Sequence, residues 1–237
     1  MNMKFEVSKD FFDKVEDAVF GVVVVKNFDN KVSYDYINEL FNESLKSSKE
    51  KFLNVKIKEE EWIAPYREAF RKLNINPNKF MCSIEALMTR ISKGNDIPHI
   101  NSIVDLGNAL SLKYELPLGV HDIDNFIDGD IQIRESDGSD NFIPFGSKEV
   151  EHPDEGEIIY ASGNEVKTRR WTWRQGERSK VTEESKDFFI PIDGFLSNKE
   201  KVLELQKELV SYLKDDLKLE VYFGLVDKDN RIFKIEA

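Results

Sequence analysis

Between Asp128 and Ile192 the sequence breaks into short apolar runs, IQIR, NFIPF, EIIY, KTRRWTWR and DFFIPI, each set off by Gly, Asp, Asn or Pro. Several short strands at this spacing predict a β-rich layer and not a series of βαβ units. The preceding stretch has a different period. Trp62, Pro65, Tyr66, Ala69, Phe70 and Leu73 stand near helical spacing, which predicts a helix over Glu59–Leu73 with Pro65 in its first turn. The run NINPN closes it, and a second helix is expected over Lys79–Ile91, with Met81, Ile84, Leu87, Met88 and Ile91 as a core stripe. A third is expected from about Ser102 to Tyr114, ending before Pro117. The first fifty residues read as a short strand (Lys4–Val7), a helical turn, a buried strand (Val22–Val25) and a helix through Tyr36, Leu40 and Phe41. The chain closes with a helix over Asn198–Lys214 and a hairpin, LEVYFGLV and RIFKIE about the turn DKDN. The expectation is an α+β fold with a helical front half and a β-rich back half.

At 237 residues, with no Gly/Ser linker and no internal repeat, the chain reads as one elaborated domain over 1–237. Seventeen Phe and 40% hydrophobic residues are enough for a sizeable core. No stretch approaches the ~20 apolar residues of a membrane span; the longest, around Ala18–Val25, is broken by Gly21. Its N-terminal flank mixes charges of both signs and lacks a small-residue cleavage site, so no signal peptide is expected. A single cysteine, Cys82, excludes an intramolecular disulfide and fits a reducing, cytoplasmic setting. With 45 acidic against 34 basic side chains the formal charge is −11, which disfavours general nucleic-acid binding. Contact with RNA should then be local or directed at one end of the molecule, and DNA and membranes are not expected partners.

The segment from Ile100 to Asp124 carries a more specific signal. A helix with Ile100, Asn101, Val104, Asp105, Gly107 and Asn108 leads through Pro117 to Leu118, Gly119, Val120, His121, Asp122 and Asp124. Further on stands Gln175-Gly176-Glu177-Arg178-Ser179-Lys180-Val181. In order and spacing these runs resemble the B3/B4 domain of the phenylalanyl-tRNA synthetase β subunit, over a core of about residues 80–195. The resemblance implies a three-layer α+β, B3/B4-like fold, standing free of the synthetase. It also implies an aminoacyl-tRNA deacylase that edits mischarged tRNA in trans, because the family's domain hydrolyses tyrosine wrongly esterified to the phenylalanine tRNA. The alternative is a non-catalytic module that binds tRNA or an amino-acid-like small ligand. The family's helix threonine is Gly107 here, while its neighbouring asparagine matches Asn108. Its editing histidine falls on Gly119, with His121 two places on where the family has an aromatic residue. The glutamate that reads the tyrosine hydroxyl falls near Pro191, and Asp193 is the nearest carboxylate.

An aminoacyl ester is already activated, so its hydrolysis needs a placed water, a donor for the oxyanion and a holder for the ammonium. His121 is the candidate base, with Asp122 to orient the imidazole or hold the ammonium; alternatively His121 fills an aromatic site and Asp122 caps the next turn. The most unusual run is TRRWTWRQGERSK, from Thr168 to Lys180. On one strand Arg169, Trp171, Trp173 and Gln175 share a face, so the tryptophans can stack a base or ribose beside guanidinium groups. The plainer reading is a half-buried strand with both tryptophans in the core and the arginines paired to Glu177, Glu183 or Glu184. Glu177 is a candidate for an ammonium or ribose hydroxyl, or else a solvated partner of Arg178. With Asn108, Gly119 and Asp193, the residues Arg169, Trp171, Trp173 and Glu177 complete the expected substrate-binding set. Arg67, Arg71 and Lys72 form a small basic patch that reads as a solvated helix face. Three scattered histidines lack the spacing of a zinc site, and no Gly-rich nucleotide loop occurs, so no metal or cofactor is expected.

Overall fold

A computed structural model describes residues 2–236. In chain order the elements are β1 (Met3–Val7), α1 (Lys9–Lys14), β2 (Ala18–Lys26), α2 (Asp35–Phe52), α3 (Ala64–Lys72), α4 (Ser83–Ser92), α5 (Ser102–Tyr114), β3 (His121–Asp122), β4 (Asp130–Glu135), β5 (Ile158–Ser162), β6 (Glu165–Arg169), β7 (Arg174–Gln175), β8 (Phe188–Phe195), α6 (Lys199–Val210), β9 (Glu220–Val226) and β10 (Ile232–Ile235). Six strands form one sheet in the order β10-β1-β4-β5-β6-β7, and four form a second in the order β3-β8-β2-β9. Strand β1 runs parallel to β4, and every other neighbouring pair is antiparallel.

The two sheets pack face to face through aromatic side chains. Phe5 from the larger sheet meets Phe20 and Phe189 from the smaller, with ring centroids 6.0 and 5.1 Å away, and Tyr160 stacks on His121 at 5.9 Å. The other face of the smaller sheet is covered by α6, whose Gln206 donates to the carbonyls of Val22 and Gly224. Helices α5 and α2 pack beyond it. The result is three layers, sheet, sheet and helices. It explains why β2 and β8 are buried on both faces and read as continuous apolar runs without alternation.

Helix α5 starts at Asn101, whose side chain accepts from the Val104 N–H, and stops at Glu115 in a left-handed conformation. The other expected elements shift for local reasons. The helix expected over Glu59–Leu73 becomes two 3₁₀ turns and then α3, starting next to Pro65, which has no N–H to donate inside a helix. The second helix starts at Ser83, so Met81 lies outside it. NFIPF forms only isolated bridges, at Asn141, Phe142 and Pro144. The last helix passes at Ser211 into a π-helical turn that runs to Asp216. The closing hairpin is a larger correction: its turn forms, with Asp227 N–H donating to Asn230 O, but β9 pairs with β2 and β10 with β1. The turn is therefore a corner between sheets. Among the described residues no helix is long and apolar enough to cross a membrane.

Candidate functional site

Strand β8 supplies one wall. Side chains two apart share a face, so Phe189, Pro191 and Asp193 all point toward the larger sheet, while Phe188, Ile190 and Ile192 point toward the helices. Beyond the two residues of β3, the chain from Pro117 to Val120 runs beside β8 in irregular form. It is held where Gly119 N–H donates to Pro191 O and Asp193 N–H to Pro117 O, both at 3.0 Å. This segment lies close against α5. A Cβ on Gly107 would come within 2.9 Å of both the Leu118 and Val120 side chains, so threonine does not fit there without displacing them.

Asp193 is 2% exposed. The Tyr160 hydroxyl and the Trp171 indole N–H both donate to its Oδ1, each at 2.7 Å, which leaves Oδ2 without a donor. Burial with no cation beside it pushes this carboxyl up to about 7, against the pull of the two donors. Trp171 reaches Asp193 because the expected strand is interrupted. Strand β6 ends at Arg169, and Arg170 and Trp171 take φ of 48° and 58° before β7 resumes at Arg174. The shared strand face expected for Arg169, Trp171 and Trp173 therefore does not form. Trp171 is fully buried among Phe11, Phe20, Phe70 and Phe195, with no ring face open to a base or ribose. Arg169 turns away, bidentate on Glu157 at 2.8 and 2.7 Å and also paired with Glu151. Trp173 is half-buried, with Phe80 edge-on at 4.7 Å and the Arg170 guanidinium 4.9 Å from its ring.

His121 pairs with Phe189 across β3 and β8, so its ring joins the face that carries Asp193. Its Nε2 lies 3.1 Å from where a Cβ on Gly119 would stand; the imidazole fills the space that a side chain at position 119 would enter. Burial, and then the positive charge of Lys167, push His121 down to about 3, so the ring is neutral at physiological pH. Its Nδ1 is buried without a hydrogen-bond partner. Asp122, the next residue on the strand, faces the opposite side. It caps the following turn through Asp124 N–H and accepts from the Ser185 hydroxyl, and so cannot orient the His121 ring.

Leu118, Gly119, His121, Tyr160, Thr172, Trp173 and Asp193 are among the residues around a cavity of about 80 Å³. Among the described residues three buried side-chain polar atoms lack a partner, and two of them, His121 Nδ1 and Thr172 Oγ1, belong to this lining. A second cavity, of about 370 Å³, shares Leu118, Gly119 and Gln175 with the first. Its wall is largely apolar (Ile100, Val104, Val120, Phe145, Val181), with Asn108, Gln175 and Lys180 as its polar members. Thus Asn108 and Gly119 meet the larger space, while Gly119, His121, Trp171, Trp173 and Asp193 meet the smaller. Arg169, Asp122 and Glu177 line neither; Glu177 accepts from Gly146 N–H and pairs with Lys180. Sequence reasoning missed Tyr160 and Thr172. A tyrosine or threonine within a short strand-like run has no local mark that sets it apart from a core residue.

A family model described as B3/4 domain matches residues 65–214. No curated protein matches the chain. Among solved structures, an N-terminal fragment of the phenylalanyl-tRNA synthetase β-subunit from Pyrococcus horikoshii is similar, with a TM-score of 0.47 and 11% sequence identity. The similarity covers 98% of this chain and 53% of that one, so this chain spans about half the length of that fragment.

Proposed function

The chain belongs to the B3/4 domain family, and on that footing we propose that it hydrolyses the ester of an aminoacylated tRNA 3′ end, in trans and without a cofactor. The observation that carries this reading is Asp193. It is a buried carboxyl lifted to about 7, held by two neutral donors on one oxygen, in the lining of a cavity whose other residues include two with unpartnered buried polar atoms, His121 and Thr172. A general base works best when its pKa lies near the working pH, a condition that Asp193 meets and that His121, at about 3, does not. In this proposal Asp193 takes the proton of a water held in the 80 Å³ cavity, which is large enough to hold one. The water oxygen attacks the ester carbonyl, the Thr172 hydroxyl donates to the developing oxyanion, and the C–O bond to the ribose breaks as its oxygen takes the proton that Asp193 removed from the water. The 370 Å³ cavity takes the aminoacyl ribose, with Asn108, Gln175 and Lys180 as its polar contacts.

A purified sample incubated with a panel of aminoacylated tRNAs should release the amino acid from one or a few of them, and Asp193→Asn should lower that release by ~10²–10⁴-fold while still unfolding cooperatively. A second reading, binding of an amino-acid-like ligand without turnover, is favoured by the neutral His121 and the full enclosure of Trp171. Retention of an uncleavable aminoacyl-adenosine amide with no release from any ester would select it.

A further inference from the structure

At the far side of α4 lies a cavity of about 570 Å³ that shares no lining residue with the two described above. It is bounded by residues 54–58, by Arg67 on α3, by Pro77 and Asn78, and by the face of α4 that carries Glu85, Thr89 and Ser92. Four cations line it, Lys56, Lys58, Arg67 and Lys93, against one carboxylate, Glu85. In a chain of formal charge −11 this local excess of positive charge is anomalous. The single carboxylate is already engaged, because Arg67 Nη1 donates to Glu85 and both side chains are buried. Lys56 pairs with Glu59. Lys58 acts on Glu85 through its charge alone, and among the described residues neither Lys58 nor Lys93 makes an ion pair.

Arg67 is not the solvated residue that its helical spacing suggests; it is 7% exposed. Three of its hydrogen bonds go to Pro77 O, Glu85 and Asn78 Oδ1, and a guanidinium has five N–H donors, so two are left in a side chain that lines the cavity. The Thr89 hydroxyl has only the Met81 sulfur, 3.9 Å away. No aromatic side chain lines the space, so nothing there stacks a base or a sugar. The lining offers cations, a guanidinium and small polar donors, the set that recognises tetrahedral oxyanions.

We propose that this cavity is a phosphate-binding site, which takes either the phosphodiester groups of an RNA strand or a free phosphate-bearing small molecule. The RNA source rests on the function proposed above; the phosphate chemistry does not.

Calorimetric titration with pyrophosphate, and separately with a short unacylated oligoribonucleotide, tests it on the wild type and on a Lys58→Ala/Lys93→Ala variant. Both lysines are exposed, so the variant should melt like the wild type. Saturable binding of at least one probe is expected, weakened about tenfold or more in the variant. If RNA is the source, the oligoribonucleotide binds more tightly than pyrophosphate, and the slope of log affinity on log salt falls by ~1.4 in the variant, about 0.7 for each lost contact. If a free anion is the source, pyrophosphate binds and the oligoribonucleotide does not. Binding of neither probe, or equal binding by both proteins, would overturn the proposal. A protein with no hydrolytic activity would still give the pyrophosphate isotherm, so the failure of hydrolysis and the failure of this site are read separately.

Discussion

Two buried carboxyls lie on opposite sides of the turn at Arg170 and Trp171, and their surroundings differ in kind. Glu157 is gripped by Arg169 in a two-point pair, with the Arg170 guanidinium 3.1 Å away and Glu151 and Asp154 outside to balance the second cation. Asp193 has no cation at all, only a phenol and an indole. A buried charge is tolerated when it is paired and hydrogen-bonded, and otherwise it tends to neutralise. Glu157 follows the first course and serves to hold β5 to the end of β6. Asp193 follows the second, and a carboxyl that can exchange a proton near neutral pH is one that chemistry can use.

The comparison breaks first at Glu157. Glu157→Gln leaves two guanidinium groups facing a neutral amide, and loss of one partner of a buried pair typically costs about 3–5 kcal/mol. Urea unfolding should show a drop of that size, and a loss under about 1 kcal/mol would mean that water reaches the arginines and that the cluster is a surface feature.

Asp193→Asn should do the reverse. The amide keeps an oxygen for Tyr160 and Trp171, so the fold survives, whereas ester hydrolysis should fall by ~10²–10⁴-fold, the usual worth of general base catalysis. The stability profile gives an independent check. The folded pKa of about 7 lies above the unfolded carboxyl near 3.9, so between these values the folded state binds more protons than the unfolded. Asp193 therefore contributes stability that is fully present below about pH 4 and is lost as pH rises through about 7, at up to ~1.4 kcal/mol per pH unit. That slope should appear in the difference between wild type and Asp193→Asn; parallel profiles would show that Asp193 titrates as an ordinary exposed acid.

The same turn marks the limit of what was legible in the sequence. Helix α5 was readable because its signals are local, with Pro117 forbidding continuation past its end; that Asn101 caps its start and is not part of it emerges only in the structure. The β-rich back half was readable from its punctuation. The path through Arg170 and Trp171 was not, because neither residue favours the left-handed region and period-2 alternation put Arg169 and Trp171 on one face. What overrides that alternation is distant in sequence: Asp193 takes the indole N–H and Glu157 takes the guanidinium. Likewise the turn at 227–230 was legible, but which strands its arms would join depends on β1 and β2, some two hundred residues away. At the site, Asp193 and Gly119 could be named from the resemblance, whereas Tyr160 and Thr172 acquire their roles only through packing.

Trp171→Phe should sharpen the contrast by an intermediate amount. The phenyl ring keeps the contacts with Phe11 and Phe195 but removes one of the two donors on Oδ1. A hydrogen bond to a charged group is worth roughly 1.5–3 kcal/mol, so the ionised form of Asp193 loses support and its pKa should climb by about one to two units. The acid limb of the hydrolysis profile should move to higher pH by that amount. An unmoved limb would show that the limb does not report Asp193.

The smallest effect is expected at His121, the residue whose identity most suggests catalysis. Its ring is neutral across the working range because burial and Lys167 hold it near 3, so it has little capacity to take a proton from water. It does occupy space: the imidazole covers Gly119 and packs against Tyr160 and Phe189, with centroids 5.9 Å from each. His121→Ala removes that packing and opens the small cavity toward Gly119, which should lower stability by about 1–3 kcal/mol while hydrolysis falls less than tenfold. Assays are best run well below the melting temperature, so that the two readouts stay separate. His121→Phe is the informative companion, since it restores the ring without any nitrogen. If the phenylalanine variant recovers both stability and activity, the imidazole acts by shape. If activity instead falls by a hundredfold or more in a folded His121→Phe protein, the proton acceptor is the histidine and the role argued for Asp193 fails.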